Sequence, residues 1–215
     1  MNLGDTRVGS QDVADGAIVP LRSGRYGDLF TNSGMGRFYA LAKQGKLFCA
    51  SMQAAANFGT ALTATAVTIT LYNPSSSGVD LVLLATDFQM GSVGQTTTTN
   101  APIVVYAANL DTSAAAPATN TAITVRNAFL GGSAGTGVVY SATTLPSAPI
   151  IVRVHPWAHV CQTGGTVVQS SQANGFDNVD GAIVLRPNTA VTLQGIATTT
   201  QIAGIASMLW AEITI

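Results

Sequence analysis

The sequence is poor in charge. Only 9% of its 215 residues are Asp, Glu, Lys or Arg, whereas an ordinary soluble domain carries roughly 25%. Most of the basic residues lie in 1–46, and the body that follows carries only Arg126, Arg153 and Arg186, so the body lacks the clustered cations that release counterions from a phosphate backbone. This composition argues against nucleic acid as a partner and predicts a polar, nearly uncharged surface.

Long apolar runs and paired cysteines are also missing. No window reaches the about 18 apolar residues of a membrane helix, and the N-terminal MNLGDTRVGS lacks the basic and then apolar order of a signal peptide. Cys49 and Cys161 form no C-x-x-C pair, which favours a reducing compartment with both as small buried hydrophobic residues. We therefore expect a soluble protein, not exported by the usual route, with no membrane partner.

From about residue 46 onward, short β-rich runs alternate with turns rich in Gly, Ser, Thr and Pro. In one of them Ile69 and Leu71 alternate with Thr68 and Thr70, so the two residue types should occupy opposite faces of a strand. The pattern predicts an all-β antiparallel sandwich or barrel. The predicted strands fall in 46–53, 63–78, 79–91, 101–110, 121–130, 137–145, 149–155, 181–187, 189–198 and 203–215.

The N-terminal part has a different character. Residues 1–33 lack a sustained period and predict an extended arm that lies on a partner or a neighbouring subunit. GMGRFYALAKQG (34–45) predicts one short helix that stops at Gly45. We therefore divide the chain into an arm with a short helix, 1–45, and a β domain, 46–215.

One short sequence motif occurs in both parts of the chain. DVADGAIVPLR (12–22) and DNVDGAIVLRP (177–187) share the run DGAIV. In one interpretation both are edge strands entered through an Asp-Gly turn. In the other, the arm copy pairs with a sheet edge of a neighbouring molecule and supplies main-chain hydrogen bonds there.

Ligand-type side chains crowd together only in RVHPWAHVCQTGG (153–165), which holds both histidines. On a helix His155 and His159 would share a face, and Cys161 could add a thiolate to a zinc site. Pro156 follows a predicted strand, however, so we interpret the segment as a strand end and corner with partly solvated histidines. Trp157 is then an interface anchor, and we expect neither a metal nor a cofactor.

Catalytic patterns are weak. The sequence has no Gly-x-Ser-x-Gly elbow, and Asp177 and Asp180 lie in a predicted turn, where such residues cap loop amides. The run GGSAGTG (131–137) lacks the Gly-Lys-Ser/Thr of a phosphate loop and predicts a hairpin loop. We predict that the protein is not an enzyme.

Several segments carry a family resemblance in a fixed order. They are SGRYGDLFTNSGMGRFYALAKQGKLFCAS, the predicted hairpin LYNPSSSGVDLVLLATDF, TAITVRNAFLGG, LPSAPIIVR, VDGAIVLRPNTAVTLQ and the final SMLWAEI. Together they resemble a group of structural proteins of tailed bacteriophages. IVLRPNTAVTLQ is similar to the Pro-containing corner that joins strands of opposite sheets in viral jelly rolls.

The resemblance implies an antiparallel β-sandwich of jelly-roll type, made in the host cytoplasm and located on the virion. It implies a capsid cement or decoration protein, a homotrimer that binds the major capsid protein and has no catalytic residue. A tail or fibre component, including a receptor-binding head, and a virion-associated hydrolase remain as alternatives. On this reading the arm contacts the capsid through Arg7, Arg22, Arg25, Arg37, Ile18 and Val19.

Overall fold

A computed structural model describes residues 36–57, 59–93, 103–110, 116–118, 121–156, 174–196 and 202–215. The predicted arm, 1–33, lies outside these residues. The division of the chain at residue 45 therefore stays a prediction.

A single short helix occurs in the described part of the chain. Helix α1 spans Tyr39–Lys43 and is shorter than predicted. Its end has the hydrogen bonds of a Schellman motif: Gly45 N donates to the Ala42 carbonyl and Lys46 N to the Leu41 carbonyl, both at 2.9 Å. Gly45 has a φ of 69°, a backbone conformation that glycine adopts without steric cost. The predicted stop at Gly45 is confirmed.

The other described elements are β-strands, paired with each other in antiparallel fashion. They are β1 (Leu47–Ser51), β2 (Ala56–Asn57), β3 (Thr65–Asn73), β4 (Val79–Val93), β5 (Ile103–Asn109), β6 (Thr121–Ile123), β7 (Arg126–Asn127), β8 (Val138–Thr144), β9 (Ile150–Val154), β10 (Asn174–Leu185), β11 (Thr189–Ile196) and β12 (Ile202–Thr214).

These strands form two sheets that pack face to face. The first has the order β10-β4-β12-β1-β7, with β2 on β12, and the second has the order β6-β8-β3-β11-β5-β9. Only the connections from β1 to β2, β5 to β6 and β8 to β9 stay within one sheet, and every other connection between these described strands changes sheet. This is the arrangement of a double-sheet jelly roll, with β6, β7 and β8 inserted between β5 and β9. The predicted fold class is confirmed.

The connections were predicted less well than the strands. The Pro-containing corner at 186–188 joins β10 to β11 in opposite sheets, as predicted, with Asn188 at a φ of 67°. The turn at 74–78 and the glycine-rich segment 131–137, predicted as hairpins, also join strands of opposite sheets. Turn residues mark where a strand ends, but they do not select the strand with which it pairs.

The centre between the sheets is apolar. Ile69 and Leu71 contribute to it from β3, while Thr68 and Thr70 occupy the opposite face of the strand and are buried as well. Phe48 of β1 stacks on Trp210 of β12, with ring centroids 6.2 Å apart. The larger fully buried members are Phe88, Leu81, Leu83, Met208, Leu193 and Tyr106. The alternation predicted for β3 is therefore observed.

Buried polar groups tie the layers together away from this centre. Asn73 Nδ2 on β3 donates to the carbonyls of Val79 and Leu185, both at 2.8 Å, and so joins the two sheets. The Glu212 carboxylate accepts from the backbone N–H groups of Thr136 and Gly137. Each bond satisfies a group that burial would otherwise leave unpaired.

Candidate functional site

Strand β9 forms one edge of the second sheet and pairs there with β5. Its side chains are mostly β-branched, which suits a strand, yet they face solvent instead of a core. We call the exposed aliphatic side chains of β9 and of neighbouring Ile103 the β9 patch; each is 46–61% exposed. Its members are Ile103, Ile150, Ile151, Val152 and Val154.

A bulge interrupts the pairing of β9 with β5. Ile151 lies opposite Ala107, whereas Arg153 lies opposite Tyr106, so Val152 is an extra residue in the ladder. A bulge of one residue switches the face on which the following side chains lie. Arg153 is therefore directed towards the interior between the sheets, while Ile151 lies on the outer face.

Arg153 joins a polar cluster that spans both sheets. Its Nη2 donates to Asp177 Oδ1 of β10 at 2.9 Å. The Tyr106 hydroxyl of β5 donates to Asp177 Oδ2 at 2.8 Å and is also bonded to the Thr86 hydroxyl of β4. The Asp177 carboxylate thus holds the two edge strands, β9 and β10, to each other across the sandwich.

The chemistry of Tyr106 fixes the direction of these bonds. Burial raises the pKa of Tyr106 well above its usual range, against the hydrogen bond with Thr86, which lowers it. The phenol therefore keeps its single proton, which it donates to Asp177. Because that proton is used, the Thr86 hydroxyl must be the donor in the bond with Tyr106.

The prediction that Asp177 caps a loop was wrong. Asp177 lies on β10, opposite Thr86, and is only 4% exposed. Strand β10 begins at Asn174, and the Asp-Gly pair forms a bulge within it, with φ values of 54° at Asp180 and 79° at Gly181. The preference of Asp-Gly for left-handed backbone is used here inside a strand and not in a turn that enters one.

The prediction of partly solvated histidines was wrong for His155. The strand does end at Val154, and Pro156 follows, as predicted. His155 is nevertheless 1% exposed. Its ring stacks on Tyr106 with centroids 5.6 Å apart, and within the part of the chain that the structure describes neither Nδ1 nor Nε2 has a hydrogen-bond partner. Burial lowers its pKa because a charged imidazole loses its hydration there.

The remaining predicted residues are mostly outside the described part of the chain. Arg37 is exposed, and its guanidinium carbon lies 5.3 Å from the centre of the Phe38 ring. Cys49 is a free, half-buried thiol. The structure does not describe Arg7, Arg22, Arg25, Ile18, Val19, Trp157, His159 or Cys161.

The described residues offer neither a metal centre nor a membrane-spanning helix. They contain no group of three or more His, Cys, Asp and Glu side chains placed to hold a metal ion. No helix among them is long and apolar enough to span a bilayer. What the cluster does offer is a carboxylate held by two donors and an imidazole that lacks partners.

No protein-family model, curated protein or solved structure matches this chain.

The sequence indicated His155 and Asp177 as candidates, but it did not reveal Tyr106, Thr86 and Arg153 as their neighbours. One signal was available: Tyr106 interrupts the small and aliphatic run IVVYAAN, and a tyrosine buried in such a strand needs a hydrogen-bond partner.

Proposed function

We propose that the protein is a non-catalytic virion subunit, a cement or decoration protein that binds the outer surface of a tailed-bacteriophage capsid. In this role a homotrimer contacts the major capsid protein and stabilises the capsid lattice. The observation that carries the proposal is the β9 patch, an exposed aliphatic surface at a sheet edge.

The physical argument concerns the cost of binding. Ile151, Val152 and Val154 can lose water on contact with a partner without any charge being desolvated. The one charged side chain of β9, Arg153, is already paired with Asp177 inside the subunit. β-Branched side chains also have few rotamers to lose when they are immobilised. Several exposed aliphatic side chains along one edge strand are a feature of interaction sites.

The fold and the composition support the same assignment. The jelly-roll sandwich agrees with what the resemblance to phage structural proteins implies. With 9% charged residues, subunits can pack closely with little like-charge repulsion. A trimer that attaches through several weak contacts gains avidity without a large footprint for each subunit.

Binding to purified empty capsids, measured by co-sedimentation over a range of protein concentrations, tests the proposal. Val152→Asp places a charge in the β9 patch and should weaken binding by about tenfold or more, equivalent to about 1.4 kcal/mol. Val184→Asp is the matched control, because Val184 is a similarly exposed valine on β10, the edge strand of the other sheet. If both variants and the unsubstituted protein bind capsids equally well, the β9 patch does not contact the capsid.

A second variant tests the predicted arm. Deletion of residues 1–33 should weaken capsid binding further, and unchanged binding would contradict the role proposed for Arg7, Arg22 and Arg25. Localisation on intact particles by cryo-electron microscopy tests the assignment itself. Density on the capsid lattice supports the assignment. Density confined to the tail would contradict it and would favour a tail or fibre component.

A further inference from the structure

The burial of the His155 side chain lowers the stability of the fold. A neutral imidazole has one donor and one acceptor nitrogen, and in His155 both are buried without a partner among the described residues. Each buried polar group without a hydrogen bond lowers stability. A phenylalanine could stack on Tyr106 without these unpaired atoms, so packing alone does not account for a histidine at this position.

The position of His155 connects it to the edge strand. It follows Val154 directly, and its backbone N–H donates to the Val104 carbonyl of β5 at 2.9 Å. It thereby continues the ladder that attaches β9 to the second sheet. The His155 side chain makes a second connection: its ring stacks on Tyr106, and the Tyr106 hydroxyl donates to Asp177 of β10.

The ionisable groups that act on His155 come from four strands. Asp177 of β10 raises its pKa, Arg153 of β9 lowers it, and Asp87 of β4 raises it, all less strongly than burial lowers it. Tyr106 of β5 presents its ring to the imidazole and its proton to Asp177. Asp177, the stronger of the two acidic influences, already accepts from Arg153 and Tyr106. A protonated His155 would therefore compete for an occupied carboxylate or move to water.

We propose that His155 is an acid-sensitive switch that holds β9 on the sandwich at neutral pH and releases it on protonation. Either response of the protonated ring weakens the attachment of β9. Competition for Asp177 disturbs the Arg153–Asp177 bridge between the sheets, and movement to water disrupts the Val104 hydrogen bond. The β9 patch is carried by the strand that is released. The switch belongs to the isolated protein and does not rest on the proposed capsid function.

The sign of the pH effect follows from linkage. Because burial lowers the pKa of His155 below its usual 6.5, an opened β9 binds more protons than a closed one at mildly acidic pH. The closed state therefore has its full stability above about pH 6.5 and loses it as the pH falls from there towards the lowered pKa. Opening should be local, because β9 is an edge strand while β12 lies in the middle of the first sheet.

Hydrogen–deuterium exchange of the full chain at pH 7.5 and pH 5.0, corrected for intrinsic exchange rates, tests the switch. Protection of residues 150–155 should fall by about tenfold at the lower pH, while β12 keeps its protection. His155→Phe and His155→Gln should abolish the change; the glutamine variant serves if the phenylalanine variant does not fold. His159→Gln is the matched control, since it removes the only other histidine, and should respond like the unsubstituted protein.

Three results would overturn the proposal. Protection of residues 150–155 could stay constant between the two pH values, the His155 variants could lose it to the same extent, or residues 150–155 and β12 could lose protection together. The last result would indicate general acid unfolding. Titration of the His155 ring by NMR gives an independent check, with His159→Gln assigning the signals. A pKa at or above 6.5 would also contradict the switch.

Discussion

The space between the two sheets has a centre and a flank, and the two are built differently. Apart from Tyr106, which belongs to both regions, the centre is filled by side chains that do not ionise, such as Phe48, Leu83 and Trp210. The flank beside β9 and β10 contains the polar cluster of Tyr106 and Asp177, with His155 stacked against it. Both are buried, so the difference lies in chemistry and not in access to solvent.

Because of this difference, the stability contributed by the flank depends on pH, whereas the stability contributed by the centre does not. Burial of apolar area stabilises the centre by an amount that does not depend on pH in the range where carboxylates and imidazoles titrate. The flank depends on hydrogen bonds to ionisable groups, whose free energy changes with protonation. A fall in pH should therefore loosen one edge of the sandwich before it affects the middle.

The largest effect is expected in the centre. Leu83→Ala removes a fully buried side chain from β4 and should lower the free energy of unfolding by about 2–5 kcal/mol. Because no proton is involved, urea denaturation should give the same loss at pH 7.5 and pH 5.0. Leu130→Ala is the control: Leu130 is 89% exposed, and its removal should cost no more than about 0.5 kcal/mol. Similar losses for the two variants would contradict the assignment of the centre.

An intermediate effect is expected in the flank. Asp177→Asn removes the charge that holds Arg153 and should lower the free energy of unfolding by about 1–3 kcal/mol. The loss stays below that of a fully buried ion pair, because the Arg153 side chain is 35% exposed and can turn to water. NMR titration should also show a lower His155 pKa, since Asp177 raises it.

Asp87→Asn is the matched control for that variant. Asp87 is exposed on β4 and has a weaker influence than Asp177 on the pKa of His155. Asp87→Asn should change the free energy of unfolding by no more than about 0.5 kcal/mol relative to the unsubstituted protein. It should lower the pKa of His155 by less than Asp177→Asn does. If the two variants behaved alike, the cluster around Asp177 would have no special role.

The jelly roll was predictable because its signals are local. The alternation of Ile69 and Leu71 with Thr68 and Thr70 identifies a strand, and the Pro-containing corner at 186–188 identifies a change of sheet. The corner at 74–78 was predicted as a hairpin, because a turn sequence carries no information about which distant strand completes the pairing. That choice depends on packing over the whole domain.

The polar cluster was harder to predict because two bulges create it. With strict alternation, Arg153 would share a face with exposed Ile151; the extra residue Val152 turns it inward. The Asp180-Gly181 bulge similarly allows β10 to continue back to Asn174 and carry Asp177 as a strand residue. Asp177 and His155 were therefore chosen as candidates from the sequence and then assigned to the wrong surroundings.

The smallest expected effect comes from one hydroxyl group of the cluster. Tyr106→Phe keeps the ring that stacks on His155 but leaves Thr86 and Asp177 each without one hydrogen bond, at a cost of about 1 kcal/mol. Since the Asp177–Arg153 bridge and the buried imidazole remain, residues 150–155 should still lose protection at pH 5.0. Combining it with Asp177→Asn should cost less than the two losses added together, because the two residues share a hydrogen bond. Additive losses in that double-mutant cycle would mean that the Tyr106 hydroxyl contributes independently of Asp177, and would contradict their shared hydrogen bond.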